Sequence, residues 1–156
     1  MELATDEEKM YMEEALKEAA LAALEGEIPV GAILVQDGRV IARNHNRRER
    51  AHDATAHAEI LVIREACEKL RRWRLAVSTF YVTMEPCPMC AGAIYNARIG
   101  RVVFGASDSV AEPVGASSRF PSTPVSMQIP SSKPVSKQSA VKKFCRNFLH
   151  GAVNMI

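Results

Sequence analysis

The sequence predicts an α/β protein with a mixed central sheet covered by helices. Three observations carry that expectation. The 156-residue chain alternates apolar runs of helical period with runs of strand period. Two β-rich runs flank the dipeptide Asp37-Gly38, a hairpin-turn signal. Further on, a strand, a helix and a strand follow one another, an order that calls for a right-handed crossover and a parallel pair. An antiparallel hairpin and a parallel pair together make the sheet mixed. The length favours one domain, able to bury roughly two thirds of its unfolded surface.

The elements follow in order. "TDEEKMYMEEALKEAALAALEGE" has a capping box in Thr5 and Glu8, apolar or Ala residues at helical spacing, and Gly26 as its stop. "PVGAILVQDGRVIAR" is the hairpin. After an Arg-rich loop, Thr55 can cap a second helix through "AHAEILVIREACEKL", with Ile60, Leu61, Ile63 and Cys67 as its apolar side. "STFYVT" reads as a strand, "PCPMCAGAIYNAR" as a third helix with proline tolerated in its first turn, and "IGRVVFGA" as another strand. From about Ser109 the composition changes: residues 109–139 hold five of the eight prolines and nine serines, too little apolar content to bury much. "AVKKFCRNFL" permits a short final helix. The chain thus divides into a folded domain, 1–110, and an atypical Ser/Pro-rich tail, 111–156, expected to be poorly ordered.

The opening "MELATDEEK" has neither a basic start nor an apolar stretch, and no apolar run approaches the roughly 18 residues of a membrane span. The expectation is a cytoplasmic protein with no membrane contact, whose cysteines serve as metal or redox ligands rather than disulfides. Charge is unevenly spread: residues 1–41 carry 3 Lys/Arg against 10 Asp/Glu, and the remainder 17 against 8. Its basic clusters are Arg43, Arg47, Arg48 and Arg50, then Arg71, Arg72 and Arg74, then Arg98 and Arg101. Such a surface suits a polyanion such as nucleic acid; solvated loop arginines describe it equally well.

Cys87 and Cys90 stand three apart at the start of the third helix, where they share a face and the helix dipole favours thiolate. A Cys-x-x-Cys pair alone fits a redox couple or half of a structural zinc site. The second needs two more ligands at matching spacing, and no second Cys-x-x-Cys exists. The chain offers His57 instead, also at a helix start. One His and two Cys leave a tetrahedral position open, the catalytic rather than the structural arrangement. Glu59 is two residues from His57. In mid-helix such neighbours diverge, but at a helix mouth side chains lean toward the N-terminus, so both can converge on one ion.

"HAE" followed by "PCPMC" is the H-x-E…P-C-x-x-C signature of zinc-dependent nucleobase deaminases. With "EIPVGAILV", "NRRERAHDATAHAEI", "YVTMEPCPMCAGAI" and "RIGRVVFGASD", the chain resembles the bacterial tRNA-specific adenosine deaminases over roughly residues 5 to 110. The resemblance implies a three-layer α/β/α cytidine-deaminase-like fold and one Zn2+ per subunit on His57, Cys87 and Cys90. It implies Glu59 as the catalytic proton carrier, and a homodimer with RNA spanning both subunits and the tRNA anticodon loop as partner. It further implies a base pocket walled by Ile28, Pro29 and Val30, with Asn46 hydrogen-bonding the nucleotide, backbone near Ala58 and Glu85 completing the cradle, and Asp108 near the ribose. On their own, Ile28 and Val30 read as strand residues, Asn46 as a turn former and Asp108 as a solvated loop residue. His52 and Asp53 are expected to orient the loop, Cys67 to sit in the core, and Trp73 to cover the core edge rather than stack a base. The implied reaction is adenosine to inosine at the tRNA wobble position. Its rivals are a guanine or cytidine deaminase acting on free base or nucleoside, and a zinc-stabilised RNA-binding module without turnover.

The tail departs from the family, whose members continue into a further strand or two and a long terminal helix ending in a Phe-Phe and arginine cluster. Codons exist for residues 134–154 whose alternate frame encodes just such a helix, which points to a frameshift near residues 111 to 117. Lacking that helix, one sheet face would be left apolar and exposed.

Overall fold

The computed structural model describes residues 5–106 and the backbone of residues 133–134. Helix α1, Asp6–Leu24, opens on the expected capping box: the Glu8 N–H donates to the Thr5 hydroxyl at 3.1 Å and the Thr5 N–H to the Glu8 carboxylate at 2.9 Å. It ends at Glu25, before Gly26 at φ +78°. Strands β1, Gly31–Gln36, and β2, Arg39–His45, form the hairpin. Asp37 and Gly38 both have positive φ, 51° and 69°, as a primed two-residue turn requires.

The connection after β2 contains helix α2, Arg48–Ala51, a stretch read from sequence as loop. Helix α3 is Ala58–Leu70 with His57 as N-cap. The expected cap, Thr55, is instead held by Asp53, whose Oδ1 accepts from the Thr55 N–H at 2.8 Å and hydroxyl at 2.7 Å; Asp53 does orient the loop. The buried face of α3 is Ala58, Glu59, Val62 and Ala66. Ile60, Leu61, Ile63 and Cys67 are only partly buried, because small residues let the helix lie closer to the sheet than a bulky stripe would. Strand β3, Thr79–Met84, helix α4, Pro88–Asn96, and strand β4, Arg101–Ala106, make the crossover. Its two strands pair in parallel, and β1 pairs antiparallel with both β2 and β3.

The sheet runs β2-β1-β3-β4-β5, where β5 is Lys133–Pro134, parallel to β4. A fifth strand drawn from the tail was not expected from its composition; within sheets proline is found on such edge strands. The rest of the tail, including the proposed frame change, the final helix, Cys145 and His150, lies outside the described residues. No described helix is long and apolar enough to cross a membrane.

Side chains alternate across the sheet. Ala32, Leu34, Phe80, Val82, Val102 and Phe104 pack with Val62 and Ala66 of α3 and Ile94 of α4. Ile33, Val35, Tyr81 and Val103 face Tyr11, Met12 and Ala15 of α1. Helices lie on both faces, giving three layers. Trp73 is 55% exposed under the Arg74 guanidinium, 4.8 Å from its ring centre, and does not cover the core edge.

Candidate active site

Strand directions bring the important termini to one end of the sheet. Because β1 is antiparallel to β3, the segment entering β1 lies beside the segment leaving β3, and the N-termini of α3 and α4 open at the same end. Ligands in open α/β sheets bind in that kind of crevice, beyond the carboxyl ends of the parallel strands.

His57 is the N-cap of α3 and Cys87 the N-cap of α4, and neither side chain caps its helix, so both are turned outward. Pro88 occupies the first position of α4, where its fixed φ suits the helix, and Cys90 follows in the first turn, fully buried. The ring Nδ1 of His57 lies 3.8 Å from Cys87 Sγ and 3.6 Å from Cys90 Sγ. Zn–S bonds of about 2.3 Å and a Zn–N bond of about 2.0 Å at a tetrahedral angle imply an N···S separation of about 3.5 Å. The two N···S separations are therefore close to those of a tetrahedral site, and His57, Cys87 and Cys90 form a group among the described residues that could hold a metal ion.

The electrostatics agree. Burial, aided by the Arg48 charge, holds the His57 imidazole below its usual pKa, leaving a neutral ring with a lone pair to give. Burial, then the Glu59 carboxylate and Cys87, push the Cys90 thiol far up; a thiolate there needs a cation beside it. Glu59 is buried and, despite its separation of two from His57, converges on the same place, accepting a hydrogen bond from Cys90. Burial raises its pKa against the opposing bonds from its own backbone N–H and Cys90. A carboxyl so poised can take up and release protons.

The group opens into a cavity of about 160 Å3. Of the residues expected to form it, Ile28, Val30, Asn46, Ala58 and Glu85 line it, together with His57, Glu59 and Cys87. Pro29 does not: it is buried in the approach to β1, since alternate residues of an extended segment face opposite ways. Asp108 lies outside the described residues. The Asn46 amide is engaged with its surroundings, donating to the Ile28 carbonyl at 3.4 Å and accepting from the Arg48 N–H at 3.3 Å. Both bonds are long enough to yield to a better partner. The Glu85 N–H donates to the Ala106 carbonyl at 2.8 Å. Arg48 and Met84 also line the cavity and were not singled out for it. Arg48 stood only in a basic cluster, and Met84 gave no signal beyond its place next to Glu85.

The chain matches the MafB19-like deaminase family over residues 6–130, further than the residue 110 at which the motif resemblance stops. It is 56% identical to the tRNA-specific adenosine deaminase of Bacillus subtilis over 102 residues, 65% of this chain and 63% of that protein's length. It is 52% identical to that of Agrobacterium fabrum over 120 residues, 77% of this chain and 79% of the relative. A solved structure from a study of A-to-I editing by tRNA:A34 deaminases superposes with a TM-score of 0.74 at 47% identity, covering 86% of this chain and 98% of that one. The guanine deaminase of Bacillus subtilis superposes with a TM-score of 0.61 at 40% identity over 64% of each chain.

Proposed function

The chain belongs to the MafB19-like deaminase family, and from that premise we propose that it converts adenosine to inosine at the wobble position of tRNA, with one Zn2+ per subunit. The observation that carries the reading is the meeting of His57, Cys87 and Cys90 with the buried Glu59, at one small cavity lined by His57, Glu59 and Cys87.

His57, Cys87 and Cys90 would hold the ion. Zinc in such a three-ligand site makes water nucleophilic at neutral pH. Glu59 carries the protons: it takes one from the attacking water as the oxygen adds to purine C6, and passes it to N1. It then moves the remaining hydroxyl proton to the amino nitrogen, the C6–N bond breaks, and ammonia leaves as the C6 carbonyl forms. Water is consumed, ammonia released, and N1 keeps its proton. At about 160 Å3 the cavity is below the roughly 300–1,000 Å3 of drug-sized sites, which suits one flipped-out base. Ile28 and Val30 supply its apolar wall, Asn46 and backbone near Ala58 and Glu85 its polar contacts, and Arg48 a cation for phosphate. The working form is proposed to be a cytoplasmic homodimer with the RNA across both subunits.

A second reading, a free-base guanine deaminase, has the likeness to the Bacillus enzyme in its favour. It ranks behind because the tRNA:A34 deaminase structure matches more of the chain at higher identity. Ammonia release should be measured on an adenosine-containing anticodon stem-loop, on guanine and on free nucleosides, alongside metal analysis. Turnover of the stem-loop with one zinc per chain is expected. Turnover of guanine alone would transfer the assignment, and RNA binding without ammonia would end the enzymatic reading.

A further inference from the structure

Glu27 is 1% exposed, on the turn between α1 and β1, and plays no part in the chemistry above. A buried carboxyl is costly unless its oxygens are satisfied, and here backbone groups well along the chain satisfy it. Glu27 Oε1 accepts from the Arg50 N–H at 2.7 Å and Oε2 from the Glu49 N–H at 3.2 Å. Both donors belong to α2, a helix of four residues and too short to persist alone, whose N-cap Arg47 gives it no side-chain cap. Glu27 therefore supplies the capping bonds from elsewhere in the fold.

What it holds faces the cavity. The segment begins at Asn46 and Arg48, which line the cavity, is closed at its base by the Arg47 N–H donating to the Ala56 carbonyl at 3.0 Å, and runs into His57. On its own main chain Glu27 is followed directly by Ile28, and its N–H is fixed to the Ala22 carbonyl at the end of α1 at 2.9 Å. Asn46 joins the two walls directly, its N–H donating to the Val30 carbonyl at 3.0 Å and its amide to the Ile28 carbonyl at 3.4 Å, and Glu27 adds a second tie: to Ile28 and Val30 through its backbone, and to the α2 end of the segment through its side chain.

We infer that Glu27 is a positioning residue that sets the width of the nucleotide pocket by clamping the segment from Asn46 to Ala51 onto the entrance of β1. The inference rests on the deaminase reading for its consequence in catalysis, but the clamp itself is tested without activity. In Glu27→Gln one acceptor becomes an amide donor facing a backbone N–H, with almost no change in volume. Hydrogen exchange of the full-length, zinc-loaded protein should quicken about tenfold at the Glu49 and Arg50 amides, equivalent to about 1.4 kcal/mol, and stay unchanged within α3 and the sheet. KM for the anticodon stem-loop should rise about tenfold, with kcat within a factor of two and zinc still at one per chain, since the groups that touch the reacting atoms are not moved.

Unchanged exchange at Glu49 and Arg50 would overturn the clamp. Uniformly faster exchange with a general fall in melting temperature would also overturn it, assigning Glu27 to ordinary core stability. If kcat falls while KM holds, the link to pocket width is wrong. If the wild type releases no ammonia, the exchange data still decide the clamp while the deaminase reading falls separately.

Discussion

Glu59 and His57 lie two residues apart and are given different work by burial and donor chemistry. His57 is kept neutral with Nδ1 facing two sulfurs, whereas Glu59 is kept proton-hungry beside them. Replacing Glu59 with Ala should leave zinc bound and lower ammonia release by about 10²–10⁴-fold, the usual worth of a positioned general acid and base. His57→Ala should lose the metal itself, as inductively coupled plasma analysis would record. Equal zinc loss in the two variants would strip Glu59 of its role. These residues and the two cysteines could be picked out in the sequence because their types are few and their spacing means something only at helix starts. Arg48 and Met84 could not, because each reaches the cavity through a loop path or strand end that no local pattern encodes.

Among the elements, the seating of α1 on β1 depends on a missing side chain. A Cβ on Gly31 would lie 2.2 Å from the Ala15 carbonyl oxygen and 2.4 Å from the Ala19 nitrogen, both backbone atoms that cannot swing aside. The helix lies that close because the later part of its buried face carries the small residues Ala15, Ala19 and Ala22. Gly31→Ala should push α1 off the sheet and cost about 1–3 kcal/mol, a fall of at least about 3 °C in melting temperature; an unaltered melt would refute this packing account. The capping box of α1 and the Asp37-Gly38 turn were readable because their bonds join near neighbours. Helix α2 escaped notice because the carboxylate that caps it, Glu27, sits 22 residues before Glu49. The start of α3 moved from Thr55 to His57 because Asp53 claimed the Thr55 hydroxyl first.

Across the whole molecule, the acidic first segment and the basic remainder meet in ion pairs. Arg101 of β4 pairs with Glu8 of α1, Arg43 of β2 with Glu14 at 3.1 Å, and His45 and Arg50 with Glu25 at 3.1 and 3.4 Å. Part of the basic surface thus serves the fold itself. The hydrogen bond from His45 lowers the Glu25 pKa below its ordinary 4.5. A depressed carboxylate contributes stability above its unfolded pKa and loses it as pH falls through the folded value. The melting-temperature gap between wild type and Glu25→Gln should therefore stay open above the ordinary 4.5 and close as pH falls below it, narrowing also in high salt. A gap that widens in acid would reverse the argument. By itself the sequence determined the α/β class and the mixed sheet and singled out His57, Glu59, Cys87 and Cys90 as candidates, since periodicity, turn residues and rare ligand types act over a few positions along the chain. Only the tertiary structure decided that Pro29 turns away from the cavity, that Arg48 lines it, that small residues rather than the bulky stripe face the sheet from α3, and that Asn46 and Glu27 join the two pocket walls. Those outcomes depend on which distant segments reach each other first, and hydrogen bonds and close packing across the sheet, not local pattern, settle that.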